Sequence, residues 1–231
     1  MSSLDSTDRI GKNLQAIRAN IEEAARRSGR DPEDIHLLPV TKKRSEEEIR
    51  ALMSLGPNEF GESYTEEIVR RFPVFPDVRW HFIGHLHRKH TNKIVGNVVM
   101  IHSLANERLL RKVDFTAGQK EIRQKVLLEV NVSGEDVKQG FTAADAKRLY
   151  NDGIVAELKN IQIVGLMTMA PFVTDEAVIR PVFKGLRELL EELNKEFDAA
   201  LTELSMGMTN DYEIAVEEGA SMVRIGTAIF E

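Results

Sequence analysis

The chain has 231 residues, of which 42% are hydrophobic and 29% charged, enough apolar material for a sizeable core and too much for wholesale disorder. Its 31 basic and 37 acidic residues sum to −6, which argues against a general nucleic-acid or anionic-membrane binder. The absence of cysteine excludes disulfides, thiol nucleophiles and thiolate metal sites, and fits a reducing, cytoplasmic setting.

The first residues, Met-Ser-Ser-Leu-Asp-Ser-Thr-Asp, carry neither the basic nor the apolar region of a signal peptide. Ile10, Leu14, Ile17, Ile21 and Ala24 then recur at helical spacing, with Thr7 placed to cap the helix and Gly29 to end it. Residues 35–40 read as a short buried strand. Ser45 and Glu48 form a capping box for a second helix that closes at Gly56. Further strands are predicted near 58–61, 79–83, 98–103, 126–132, 161–167, 202–206 and 221–226. Helices are predicted near 63–72, 87–95, 106–117, 142–159, 175–199 and 209–219. In the longest of these, Phe183, Leu186, Leu190, Leu193 and Phe197 share one face, a core-packing stripe.

Eight strands alternating with helices imply an α/β fold of the (β/α)8 barrel type, one domain over 1–231, with the barrel over 35–230. The pattern places no helix after the eighth strand, so the helix within residues 1–30 is expected to fill the eighth place in the outer ring. No run of about 18 apolar residues is present, so no membrane-spanning helix is predicted.

Active sites of such barrels sit at the C-terminal ends of the strands. Lys42 follows the first strand there. A desolvated lysine amine forms Schiff bases with aldehydes, although Lys42-Lys43-Arg44 also reads as a plain basic turn. Ser205, Met206, Gly207 and Thr209 follow strand seven, and Arg224, Gly226 and Thr227 follow strand eight. Glycines that admit close backbone approach, hydroxyls, and Thr209 at a helix start suggest an anion site. Helix capping by Thr209 and ordinary turns at the glycines explain the same residues. Lysine plus phosphate site points equally to pyridoxal 5′-phosphate (PLP) and to a Schiff-base aldolase acting on a sugar phosphate. His81, His85, His87 and His90 lack the spacing of a zinc site. Arg88, Lys89, His90 and Lys93 form a local basic patch without the aromatic interleaving of a nucleic-acid surface.

Seven segments occur in order: Leu-Leu-Pro-Val-Thr-Lys-Lys, Phe-Gly-Glu-Ser-Tyr, Trp-His-Phe-Ile-Gly-His-Leu, Val-Asn-Val-Ser with Lys138 and Gly140, Gly-Leu-Met, Ser-Met-Gly-Met-Thr, and Val-Arg-Ile-Gly-Thr-Ala-Ile-Phe. Together they resemble the pyridoxal phosphate homeostasis protein family, over about Leu37 to Phe230. The resemblance implies the barrel of the alanine racemase N-terminal domain, with PLP as an internal aldimine on Lys42. It implies a phosphate cradle of Ser205, Thr209, Gly226 and Thr227, and Arg224 as partner of the pyridine nitrogen. A guanidinium can only donate, so that nitrogen would stay an unprotonated acceptor and the cofactor a weaker electron sink. Ser63, His81, Asn131, Met167, Met206 and Gly207 are expected around the cofactor, and Lys138 as a secondary PLP contact or transfer station. Ser63 stands where the family usually carries Asn. The implied role is to hold, buffer or deliver PLP, with PLP-dependent apo-enzymes as partners and no substrate of its own. The alternative is a weak amino-acid racemase, for which Tyr64 is the only tyrosine placed near the rim. A monomer is expected.

Overall fold

The structure, a computed structural model, describes residues 3–134 and 139–231, with side chains from residue 6 onward. Eight strands form one all-parallel sheet: β1 (His36–Pro39), β2 (Glu59–Glu62), β3 (Arg79–Phe82), β4 (Met100–Leu104), β5 (Gln124–Glu129), β6 (Ile161–Met167), β7 (Glu203–Ser205) and β8 (Met222–Ile225). Their order is β1-β8-β7-β6-β5-β4-β3-β2, and the sheet closes on itself through the Val40–Gly61 bridge. The helices are α1 (Ser3–Arg27), α2 (Glu46–Ser54), α3 (Thr65–Arg71), α4 (Thr91–Ile94), α5 (Glu107–Gln119), α6 (Ala143–Asn151), α7 (Ile154–Glu157), α8 (Glu176–Phe197), α9 (Tyr212–Glu217) and α10 (Thr227–Phe230).

Parallel strands need a crossover, and a helix that packs back on the sheet supplies it. Side chains alternate across each strand. Trp80, Phe82, Ile101, Val126, Leu128, Leu166, Leu204, Val223 and Ile225 join the apolar layer between strands and helices. The opposite faces supply a mixed barrel interior: an apolar cluster of Met100, Leu127 and Met167, and the buried polar groups His81, His102, Ser205 and Arg224.

The Ser45–Glu48 capping box opens α2 as expected. The 142–159 helix is divided, because Gly153 at φ +72° takes a left-handed conformation that breaks the α-helical run. Thr7 lies inside α1, which begins at Ser3. Thr209 caps nothing, since α9 starts at Tyr212 with Asp211 at its N-cap. A one-turn helix, α10, does follow β8, contrary to the pattern-based expectation. α1 nonetheless takes the eighth place: it packs on α2, α9 and α10, across the seam where β8 meets β1. Among the described residues, no helix is long and apolar enough to cross a membrane.

Candidate functional site

The turn after β1 carries Lys42, and both its ends are fixed from below. Thr41 N–H donates to the Gly61 carbonyl at 3.0 Å. The fully buried Arg71 of α3 donates to the Thr41 carbonyl at 3.0 Å and to the Arg44 carbonyl at 2.7 Å. Arg71 is itself paired with the buried Glu62 carboxylate at 2.5 Å. Burial pushes the Glu62 carboxyl up, opposed by the Arg71 charge and by N–H bonds from Ser63 and Tyr64. The Lys42 side chain is solvent-exposed above this clamp.

Opposite it lies the turn after β7. Asp211 accepts the Met208 N–H at 2.6 Å, which fixes the turn that presents Thr209. Gly207 sits beneath, at φ +91°, where a Cβ would lie 2.5 Å from that of Ala215, so a side chain is excluded both by backbone and by packing. Gly226 and Thr227 follow β8 at the start of α10.

Arg224 is the charged group at the base. It is buried, donates to Ser205 Oγ at 2.7 Å and to the Thr168 carbonyl at 3.0 Å, and faces the cavity. Burial lowers its pKa to about 10, opposed by Asp211 and Glu129, so it stays cationic at neutral pH. Glu129 is buried nearby, and burial raises its carboxyl to about 7 against the pull of Arg224.

Lys42, Ser63, Thr209, Arg224, Gly226 and Thr227 line one cavity of about 400 Å³. An adjoining cavity of about 370 Å³ shares the walls Ile83, Met169, Ala170, Phe172 and Met208 and adds Glu129 and Asn131. Six of the residues expected from sequence thus meet, and Asn131 lies one cavity away. The other described ones do not reach this space. Ser205 is fully buried with its hydroxyl between Arg224 and His102, so it is turned away from an anion at the rim. His81 lies deeper still, bonded to His102 and Glu59. Met167 belongs to the interior apolar cluster, Met206 to the main core, and Gly207 supports the turn from behind. Tyr64 does not line the cavity, Tyr150 is half-buried on α6, and Tyr212 is bonded to Asn20. Lys138 lies outside the described residues. Sequence reasoning missed Met208, Met169 and Phe172, apolar residues without a chemical signature of their own, and Asp211, whose carboxylate fixes a turn. Among the described residues no group of three or more His, Asp or Glu is placed to hold a metal. A cleft of about 980 Å³ lies at the other mouth of the barrel, lined by His36 and Glu59 at the N-terminal ends of β1 and β2.

A closed parallel barrel with a lysine after β1 and an arginine at the end of β8 defines the alanine racemase N-terminal domain class, whose family model matches residues 12–231. A "pyridoxal phosphate homeostasis protein" of Aquifex aeolicus is 38% identical, covering 95% of this chain and 96% of that one. A human protein of the same description is 34% identical over 96% of this chain and 86% of its own length. The solved structure of PipY from Synechococcus elongatus, with PLP bound, is similar at a TM-score of 0.83 and 29% identity, covering 96% of this chain and all of that one. The chain belongs to the pyridoxal phosphate homeostasis protein family.

Proposed function

We propose that the cavity binds PLP, held covalently by Lys42, and that the chain keeps or hands on the cofactor rather than turning over a substrate. The observation that carries the reading is the meeting of one lysine, two threonines, Gly226 and a buried arginine around about 400 Å³, in a family whose relative PipY is solved with PLP bound. The donor set fits that group. PLP, when bound, supplies an aldehyde carbon open to amine attack and a ring whose electrons respond to its nitrogen. The Lys42 amine is the nucleophile that faces the cavity. The Thr209 and Thr227 hydroxyls and the backbone at Gly226 are the donors for the phosphate. Arg224 would donate to the ring nitrogen and, remaining cationic, would yield no proton to it.

Two features favour a carrier. Lys42 is exposed and Phe172, 89% exposed, stands at the rim, so the site is open to water and to a recipient apo-enzyme. Catalysis at such a cofactor gains from water exclusion and needs a second acid–base group across from the lysine. None of the three tyrosines lines the cavity, so the racemase alternative has no tyrosine to use.

The experiment is reduction of the PLP-loaded protein with borohydride followed by peptide mapping. The label is expected on Lys42 and absent from Lys42→Ala. A label on another lysine, or an unchanged label in that variant, overturns the assignment.

A further inference from the structure

Ser205, expected at the phosphate, instead begins a line of buried hydrogen bonds through the barrel. Arg224 Nη1 donates to Ser205 Oγ at 2.7 Å. Ser205 Oγ lies 2.9 Å from His102 Nδ1, and His102 Nε2 lies 3.0 Å from His81 Nδ1. His81 Nε2 lies 3.1 Å from Glu59 Oε2, which also meets His36 Nε2 at 3.3 Å, while Glu59 Oε1 meets Arg79 at 2.5 Å. The line joins residues of β8, β7, β4, β3 and β2, and it ends in the cleft at the opposite mouth of the barrel.

The chemistry of the ends fixes the direction. Arginine has donors only, so Ser205 Oγ accepts from it; the Glu59 carboxylate has acceptors only, so the line runs toward it and Ser205 passes its own hydrogen to His102 Nδ1. His102 then carries its single proton on Nε2 and donates to His81 Nδ1. His81 carries its proton on Nε2 and donates to Glu59. Each ring nitrogen of His102 and His81 has one partner, with both imidazoles neutral. This agrees with the burial that lowers both of them, His102 well below the ordinary histidine value. The reversed pattern would require an imidazolium or a protonated Glu59, whose carboxyl His36 and His81 hold down. The charges sit at the ends: a guanidinium above, and below a carboxylate held far down by His36 and His81.

We infer that His102, His81 and Glu59 are positioning residues for the cofactor ring: acting through Ser205, they hold Arg224 in the orientation that meets the pyridine nitrogen. This rests on the proposed PLP site and adds to it a structural link between that contact and the far mouth of the barrel.

Two measurements test it. The first needs no cofactor: ¹⁵N-histidine NMR of the intact protein near pH 7 reports which ring nitrogen bears the proton. His81 and His102 are expected as neutral Nε2–H tautomers. A Nδ1–H tautomer or a cation at either position overturns the inference. The second is a double-mutant cycle on PLP binding, read by the absorbance of the bound cofactor. His102→Leu is expected to weaken binding about tenfold, the size of a lost hydrogen bond to a charged group, and to shift the absorbance maximum. Glu59→Gln, at a half-buried position that tolerates the change, is expected to shift the maximum in the same direction. In an Arg224→Ala background His102→Leu is expected to have no further effect, and His102→Gln, which keeps an acceptor and a donor, to restore part of the loss. Equal effects with and without Arg224, or a wild-type maximum in both His102→Leu and Glu59→Gln, overturn it. A wild-type protein that takes up no PLP would instead overturn the PLP reading, and the tautomer result would still decide the arrangement of the line.

Discussion

At the scale of single residues, the barrel interior sets unlike ionisation states on neighbouring groups. Arg224 and Glu129 are both buried, and the guanidinium stays charged while the carboxyl is raised to about 7. A carboxyl with a raised folded value is protonated in the folded chain where it is already ionised in the unfolded one. Its contribution is therefore complete below the ordinary value of 4.5 and is lost as the pH rises to about 7. The difference amounts to roughly 3 kcal/mol. Glu129→Gln, uncharged and of the same shape, is expected to match the wild type in thermal unfolding at about pH 4, below the ordinary carboxyl value, and to exceed it at about pH 8, by on the order of 5–10 °C. Equal melting temperatures at pH 8 would show that Glu129 ionises without cost.

At the scale of elements, the clamp under Lys42 shows how two short pieces of chain make a site. Arg71 at the end of α3 reaches back to both carbonyls that flank the Lys42 turn, and Glu62 neutralises it. Arg71→Leu would leave the Glu62 carboxylate buried without its partner, a loss of about 3–5 kcal/mol. It would also release the turn, so capture of PLP by borohydride at Lys42 is expected to fall with stability. Replacing both partners, with Glu62→Leu and Arg71→Met, is expected to recover most of the melting temperature but not the capture. Full capture in the double variant would show that the turn holds itself. This level was only partly legible in the sequence. Phe-Gly-Glu-Ser-Tyr was visible as a motif, and the strand-end rule put Lys42, Thr209, Arg224 and Thr227 on one rim. The alternation of β7 puts Leu204 outward and Ser205 inward, but how deep below the rim an inward residue lies depends on the stagger of all eight strands. A local pattern does not contain that stagger, so Ser205 and His81 are expected at the site and lie beneath the cavity. Arg71 stands on the buried face of α3 with Thr65 and Ile68, but its partners are not local: only the closure of β1 on β2 brings Thr41 and Arg44 over it.

At the scale of the whole molecule, the barrel has two mouths and one seam. The C-terminal mouth carries the cavity, and the other carries Glu59 and His36. The junction of β8 and β1 is covered by α1, which packs between α2 on one side and α9 and α10 on the other. Ile10, Leu14, Ile17, Ile21 and Ala24 are all buried there. Polar contacts fasten the same helix to its neighbours: Asn13 donates to the Ile229 carbonyl of α10 at 3.1 Å, and Asn20 to the Tyr212 hydroxyl of α9 at 2.9 Å. Arg30, just beyond α1, donates to the Val216 and Ala220 carbonyls at 2.7 and 2.9 Å. Full burial of a large aliphatic side chain contributes about 1.5–3 kcal/mol, so the four large ones of this face together contribute an amount comparable to the whole net stability of an ordinary domain, about 5–15 kcal/mol. Deleting residues 1–30 is therefore expected to abolish the cooperative thermal transition seen by circular dichroism, with no PLP captured. Leu14→Ala, a smaller cut at the same face, is expected to cost about 2–5 kcal/mol and leave binding in place below the lowered transition. α10 begins with Thr227, so the packing of α1 also reaches the Thr227 side of the cavity through the Asn13–Ile229 bond. If the truncated chain melted cooperatively at the temperature of the intact one, α1 would be an ornament on a barrel that closes without it, and the eighth place in the outer ring would not need to be filled.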